Sequence, residues 1–268
     1  MIDFLFCFND KYCNHFMGQV LQIVSKTKSR CKFWILTKEC DFVNDKLTSL
    51  QKMTELKFDF EVFDFEVFDF NMYDGEHFDH TVKSHNFISE ETFFRLYAIN
   101  ILPRSLRKVI YLDVDVLVKC DMQELWDIDI DDVEIASVED YWSVIGAHKK
   151  KMFTTGFMFM NLDKLREDKF FDRAIEYAKN NDIEQEDFTI CNAVIDNVKW
   201  LPMEWQFCQY KSWMRGEKPL VESPKMVHFV TAKKPWKTHS AFDMRYFDEY
   251  NAFESLAKSL VDVEQYLE

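Results

Sequence analysis

Residues Val109–Asp121 read VIYLDVDVLVKCD, an apolar run that ends in Asp113 and Asp115 with one valine between them. Uncharged and rich in β-branched and aromatic residues, Val109-Ile110-Tyr111-Leu112 has the composition of a strand buried on both faces of a sheet. Successive side chains of a strand alternate, so the two carboxylates share one face. At the carboxyl end of a strand in an open α/β sheet, where such folds bind their ligands, two hard oxygen donors suit Mg²⁺ or Mn²⁺, and the same ion can hold a diphosphate. The chain contains 47 Asp and Glu, so a pair of acids at a strand end, taken alone, reads equally well as solvated surface.

Further strand-like runs lie at Ile2–Phe8, Lys32–Thr37, Val133–Val138 and Phe157–Leu162, and the run above extends back to Arg107. Helix-length amphipathic stretches separate them. Ser89, followed by Glu91 and Thr92 and then Phe93, Phe94, Leu96, Tyr97 and Ile99 to Leu102, predicts a capped helix that stops before Pro103. Asp163–Asn180 predicts one helix with Asp163 as N-cap and Leu165, Phe170, Ala174, Ile175 and Ala178 along one side. Strands alternating with helices imply an α/β domain with a mostly parallel central sheet flanked by helices. Phe58–Phe70, FDFEVFDFEVFDF, repeats a five-residue unit. That odd period flips the buried face at Val62-Phe63 and Val67-Phe68. It predicts a strand over one copy and a bulge or irregular exit through the next, the acids guarding an exposed edge. His77, His80 and His85 follow without nearby cysteines or paired acids and read as a solvated loop, not a zinc site.

With 268 residues, 47% of them hydrophobic, the chain can fill a core without disulfides. Its net charge of −14, from 33 basic and 47 acidic residues, disfavours nucleic acid and anionic lipid as partners. Seven scattered cysteines with no C-x-x-C pair read as thiols of a reducing compartment. The opening MIDFLFCFND lacks the basic cluster of a secretory signal. The longest uncharged run, Met152–Leu162, is far short of the ~20 apolar residues of a spanning helix. A cytoplasmic protein, soluble or at most peripheral to a membrane, is expected. The five glycines are too scattered for any glycine-rich phosphate cradle. A diphosphate here must be neutralised by a metal or by Lys and Arg side chains.

Six segments in a fixed order carry a family resemblance: Asn9-Asp10-Lys11-Tyr12 after the first strand, FFRL with Arg95, YLDVDVLV with Asp113 and Asp115, FTTGFMFMNLDKLR from Phe153, EQED from Glu184, and VHFVTAKKPW from Val227 to Trp236. From Phe4 to Trp236 the chain resembles glycosyltransferase family 8, the group of bacterial lipopolysaccharide galactosyl- and glucosyltransferases and glycogenin. The resemblance implies a GT-A (Rossmann-like) nucleotide-sugar-binding fold, a UDP-sugar donor, Mn²⁺ (or Mg²⁺), and transfer with retention of anomeric configuration. Its boundaries suggest a catalytic domain over 1–240 and a C-terminal helical extension over 241–268.

By the same resemblance, Asp113, Asp115 and a neutral His228 would ligate the metal, with Val114 between the aspartates in the donor site. Lys234 would meet the diphosphate and Arg95 would lie near the donor. Tyr12 would stack on uracil, and Asn9, where the family commonly has Asp, would offer the base an acceptor and a donor. Thr154 and Thr155 stand where an Asn and a small residue are usual, and Thr231 replaces a glycine. Gln185, Glu186 and Asp187 fall on the family's D-Q-D. Glu186 thus stands where some members have a glutamine proposed to lie under the anomeric carbon, and a carboxylate is the better nucleophile or cation stabiliser. Asp187 would bond donor-sugar hydroxyls; Glu186 and Asp187 are the catalytic candidates. Asp140 is a weaker sugar contact, with a helix cap as its alternative role.

The implied reaction moves glucose or galactose from its UDP-sugar to a saccharide, glycolipid or glycoprotein. Two other classes compete. DVDVL is also similar to the opening of haloacid-dehalogenase phosphatases, so a phosphatase or nucleotidyltransferase is one alternative. A catalytically degenerate nucleotide-sugar or carbohydrate-binding protein is the other. Trp205, Trp213 and Trp236 with Phe207 and Tyr210 would either line an acceptor site or pack beneath it.

Overall fold

The computed structural model describes residues 1–58, 63–76, 78, 90–144, 150–183, 186–208, 221–230, 234–237 and 244–264. The strands are β1 (Ile2–Cys7), β2 (Cys31–Thr37), β3 (Phe63–Asp69), β4 (Lys108–Leu112), β5 (Val116–Val118), β6 (Ile135–Val138), β7 (Phe157–Asn161), β8 (Val198–Leu201) and β9 (Met226–His228). Seven of them form one sheet in the order β3-β2-β1-β4-β7-β6-β8, and β5 pairs with β9 in a separate ribbon. β7 runs antiparallel to both its neighbours and every other pairing in the large sheet is parallel. The helices are α1 (Cys13–Lys26), α2 (Cys40–Phe58), α3 (Phe94–Ile101), α4 (Gln123–Trp126), α5 (Tyr141–Val144), α6 (Leu162–Glu167), α7 (Phe170–Asn180), α8 (Glu186–Val194) and α9 (Met244–Glu264). This is the α/β GT-A architecture, a mostly parallel sheet flanked by helices.

Helices on both faces explain why the central strands carry apolar residues on both of their sides, as in Phe4-Leu5-Phe6 of β1 and Val109-Ile110-Tyr111-Leu112 of β4. Phe4, Phe6, Ile110 and Leu112 face a core shared with Phe16 and Val20 of α1, Val43 and Leu47 of α2, and Ala257 and Leu260 of α9. Leu5, Leu36, Val109 and Tyr111, one residue out of phase, face a second core with Leu96, Leu165, Ile175 and Ile190.

For the five-residue repeat, the expected edge strand over one copy is found and the chain leaves it in a 3₁₀ turn over Phe70–Met72, but the two-sided sheet removes the need for a bulge. β3 is a single edge strand, paired with β2 in unbroken register from Cys31 opposite Phe63 to Thr37 opposite Asp69, and it crosses the Val67-Phe68 boundary with no bulge. Phe63, Phe65 and Val67 contribute to the first core, and Phe68 contributes to the second, where it stacks on Trp34 at 6.1 Å. A phase flip is ruinous for a sheet with one wet face; here it delivers an aromatic ring to the opposite core. Residues 59–62, and His77, His80 and His85, lie outside the described residues.

The helix expected over 163–180 is two. Asn161 is the N-cap, its side chain accepting from Lys164 N at 3.0 Å, and Lys169 adopts a left-handed backbone (φ 52°) that separates α6 from α7. Asp163 instead sits in the first turn and pairs with Arg107 at 2.8 Å. The apolar spacing did not reveal the break, because Leu165 and Phe170 face the same core on either side of it. As expected, α3 ends before Pro103; it is preceded by a 3₁₀ turn over Glu90–Phe93, and Ser89 lies outside the described residues. Among the described residues no disulfide joins any cysteine, and no helix is long and apolar enough to cross a membrane.

α9 packs along α1, and Gly18 lets the two backbones approach: a Cβ there would lie 2.8 Å from Glu254 Cα and 2.9 Å from its amide nitrogen. Neither backbone atom can yield without shifting α9. Gly18→Ala is therefore expected to destabilise the protein by about 1–3 kcal/mol, read as a lowered midpoint in urea denaturation; an unchanged midpoint would show that α9 is not held this closely.

Candidate active site

Two pairings assemble the acidic site. β4 opposes β7 with Leu112 against Phe157, so Gly156 enters beside Asp113, whose amide donates to the Gly156 carbonyl at 3.0 Å. Past the Asp113-Val114-Asp115 turn, Val116 of β5 opposes His228 of β9. Asp113, Asp115 and His228, the last two 113 positions apart in the sequence, thereby bring one donor atom each within 4.8 Å of one another. His228 Nε2 lies 3.1 Å from Asp115 Oδ1 and 3.6 Å from Asp113 Oδ2.

The wall of this cluster is Gly156. A Cβ there would come within 2.2 Å of His228 Cε1 and 2.9 Å of Asp113 Oδ2. Only glycine admits the imidazole between the carboxylates. Two carboxylates and an imidazole, drawn from two distant segments into one hollow, are a donor set that fits a divalent cation with oxygen and nitrogen ligands.

Cations neutralise the acids from two sides. Lys234 donates to Asp115 Oδ2, and also to the Phe229 carbonyl at 2.6 Å. Burial alone would raise the Asp115 carboxyl, but Lys234 and His228 hold it well below the usual carboxylate range. Beneath lies Arg95, 5% exposed. Its Nη2 is 3.1 Å from Asp113 Oδ1 and its Nη1 3.3 Å from Asp187 Oδ2, while it donates to the carbonyls of Thr155 (2.7 Å) and Thr92 (2.9 Å). Burial opposes its charge, but Asp187 and Asp113 together keep it protonated. Asp187, 5% exposed, is pushed up by burial, which Arg95 offsets only in part.

The profile of glycosyl transferase family 8 matches residues 3–240. The chain belongs to this family. General stress protein A of Bacillus subtilis is 26% identical over 280 residues, covering 94% of this chain and 92% of that protein. Among solved structures, the bifunctional glycosyltransferase WbbM is similar with a TM-score of 0.73 at 20% identity over 94% of this chain and 49% of that one. The galactosyltransferase LgtC, solved with donor and acceptor sugar analogs, has a TM-score of 0.69 at 20% identity, covering 94% and 96%. Both likenesses are of fold.

The other family-derived candidates of this glycosyltransferase fall around the cluster unevenly. At the end of β1, Asn9 Nδ2 donates to the buried Glu91 at 3.3 Å, and Asn9 Oδ1 is buried with no hydrogen-bond partner among the described residues. Tyr12 is half-buried, its ring edge-on to Trp236 at 6.1 Å, and Val114 sits in the aspartate turn with its carbonyl accepting from Tyr250 at 2.7 Å. Thr155 hydrogen-bonds Asp187 through its side chain, and Thr154 Oγ1 accepts from Gln206 at 2.8 Å. Asp140 caps α5, Oδ1 accepting from Trp142 N at 2.9 Å, and borders a cleft with Tyr141, Thr154, Met203 and Gln206. Trp205 and Phe207 are buried, and Trp236 stacks on His15 at 3.8 Å. Gln185, Thr231, Tyr210 and Trp213 lie outside the described residues, as does the side chain of Glu186 at the start of α8.

Three participants escaped the sequence reading. Tyr111 donates to Asp113 Oδ1 at 2.6 Å and carries the Arg95 guanidinium over its ring at 4.2 Å; standing two residues before Asp113, it could have been found by alternation. Glu91 was read only as part of a helix start. Gln206 has no motif; a bridge between Phe207 and Val227 sets it beside His228.

Removing Arg95 would strand two acids. Arg95→Met is expected to cost about 3–5 kcal/mol at neutral pH. Asp187 already has a raised folded pKa, so the folded state holds more protons than the unfolded one just above the ordinary carboxylate range, and its contribution to stability falls as pH rises. Without Arg95 this acid titrates higher still, and the variant's deficit against the parent should shrink as pH falls from 7 towards 5 in denaturant titrations. A pH-independent deficit would contradict this account. Gly156→Ala should separate His228 from Asp113, which difference spectra of the histidine resonances would report; an unmoved His228 would show that the hollow has slack.

Proposed function

We propose that this family 8 glycosyltransferase moves a hexose, glucose or galactose, from a UDP-sugar to a glycan-type acceptor with retention of configuration, aided by Mn²⁺ or Mg²⁺. The observation that carries the reading is the convergence of Asp113, Asp115 and His228 on Gly156, beside the Lys234 ammonium. Those three side chains would hold the metal, which when bound supplies electrostatic stabilisation of the charge developing on the departing diphosphate.

The chain's own residues divide the remaining work. Asn9 Oδ1, buried and without a partner among the described residues, faces the task of accepting the base N–H, while its amide nitrogen is held by Glu91. Tyr12, braced by Trp236, offers the ring on which uracil stacks. Lys234 contacts Asp115 and is positioned to transfer part of its hydrogen bonding to a phosphate oxygen. Arg95 is fully engaged with Asp113, Asp187 and two carbonyls, so it acts by holding the carboxylates in place. In the transfer, the acceptor hydroxyl oxygen bonds to the anomeric carbon as the bond from that carbon to the phosphate oxygen breaks. The electron pair leaves with UDP, and the acceptor proton passes to the departing phosphate on the same face. Glu186, at the start of α8, is assigned to steady the cationic sugar, and Asp187 and Thr155 to orient its hydroxyls.

Membership in a glycosyltransferase family weighs against the phosphatase alternative. We place the reaction in the cytoplasm, over a catalytic unit of residues 1–240 with 241–268 as its C-terminal extension. Incubation with a panel of UDP-sugars should release UDP slowly from one hexose donor with Mn²⁺ present, and not from Asp115→Ala. Phosphate release independent of the sugar would overturn the transferase chemistry; UDP-sugar binding without turnover, even with saccharide acceptors added, would point to a degenerate site.

A further inference from the structure

Gln206 is 3% exposed and lies outside every segment that carries the family resemblance. Its amide nitrogen meets His228 Nδ1 and donates to Thr154 Oγ1 at 2.8 Å, so the arrangement in which the carbonyl meets Nδ1 is reached by turning the amide over. The opposite end, Oε1, is buried with no hydrogen-bond partner among the described residues. The other imidazole nitrogen, Nε2, faces both aspartates at 3.1 and 3.6 Å. The amide therefore touches the one ring atom whose protonation decides what Nε2 can do.

A neutral imidazole carries one N–H. If the amide presents N–H₂ to Nδ1, that nitrogen must be the acceptor, and Nε2 carries the proton towards Asp115. If it presents its carbonyl, Nδ1 carries the proton and donates, leaving the Nε2 lone pair between Asp113 and Asp115. Half a turn about the Gln206 Cγ–Cδ bond exchanges the two, because amide nitrogen and oxygen have nearly the same shape. Thr154 accommodates either, since a hydroxyl both donates and accepts. Only the second arrangement gives a cation three ligands.

We propose that Gln206 is a positioning residue: its amide carbonyl accepts from His228 Nδ1–H and so fixes the tautomer in which Nε2 ligates a divalent cation. Thr154 steadies that carbonyl by donating to it, which gives the threonine a role distinct from sugar contact. The inference rests on the metal reading of the Asp113, Asp115 and His228 cluster. It extends that reading to a buried neutral residue whose effect reaches the cation through the ring.

The test is Mn²⁺ affinity of the purified full chain, followed by the loss of the free-ion paramagnetic resonance signal. Gln206→Met keeps the volume but removes the carbonyl, and should weaken Mn²⁺ binding by about 10–100-fold. Gln206→Glu keeps an acceptor at Nδ1 and should bind within a few fold of the parent. Thermal melting identifies any variant that fails to fold; if Gln206→Met does, Gln206→Glu against Gln206→Lys, which can only donate, makes the same comparison. Equal Mn²⁺ affinity for the parent and Gln206→Met overturns the proposal, and so does an equal loss in Gln206→Met and Gln206→Glu. If the parent itself binds no Mn²⁺, the metal reading fails; if the parent binds and Asp115→Asn does not, while Gln206→Met is unaffected, the inference about Gln206 alone fails. Long-range ¹H–¹⁵N spectra with Mg²⁺ present should show His228 protonated at Nδ1 in the parent.

Discussion

Asp113 and Asp115 share one hollow at the carboxyl end of β4, and Asp187 meets the same buried guanidinium as Asp113, so the neighbouring structure is arranged around neutralising three carboxylates. Asp115 and Asp187 are almost wholly buried and Asp113 is partly so. Like charges this close and this dry cannot all remain ionised unless cations are built in beside them. Arg95 and Lys234 are those cations, and neither is free in position. Arg95 is fixed by four hydrogen-bonding or ionic partners and the face of Tyr111, and Lys234 by Asp115 and the Phe229 carbonyl. The elements that carry them, α3 and the segment after β9, must dock in one way for the acids to be tolerated at all.

Docking of those elements depends in turn on a sheet covered on both faces. Because β4 is apolar on both sides, Tyr111 points into the second core while Leu112 points into the first. The phenol thereby reaches Asp113 and Arg95 from beneath the site. Gly156 and Gly18 are the points where this assembly admits no side chain. One lets the imidazole stand between the acids, and the other lets α9 lie close enough to α1 for Tyr250 to bond the Val114 carbonyl. The aspartate turn is thus braced by the large sheet on one side and by the C-terminal helix on the other.

What could be read in advance follows from the range of the interactions. The α/β class and the Asp113-Asp115 pair are local, written in strand-length apolar runs and period-two alternation. His228 and Lys234 acquired roles only through family resemblance, since nothing near Val227–Trp236 announces that β9 will pair with β5. Gln206 was invisible for the same reason: its place beside His228 is set by the bridge from Phe207 to Val227. In the repeat, the edge strand over one copy was legible, but its continuation past Val67-Phe68 without a bulge was not, because the alternation argument assumed one wet sheet face. The helix over 163–180 was misread because a left-handed residue at Lys169 leaves the apolar face nearly in phase.

The scarcity of glycine bears on how an anionic substrate can be held. A fold without a glycine-rich loop lacks converging backbone amides and must meet a diphosphate with side-chain charge. Yet the described cations nearest the aspartates are already paired with them. If Asp113, Asp115 and His228 held a divalent cation that came with a diphosphate, its charge would compensate Asp115, and Lys234 would be available to the phosphate oxygens without leaving a buried acid unpaired. On this view the Lys234–Asp115 pair is not a competitor of the metal site but its counterweight. It keeps Asp115 ionised and in place, so that this carboxylate is ready as a ligand with no proton to shed. Lysine suits that exchange better than arginine, because a single ammonium on a flexible stem can shift from one oxygen to another, whereas a guanidinium fork fixed by several bonds, as at Arg95, cannot.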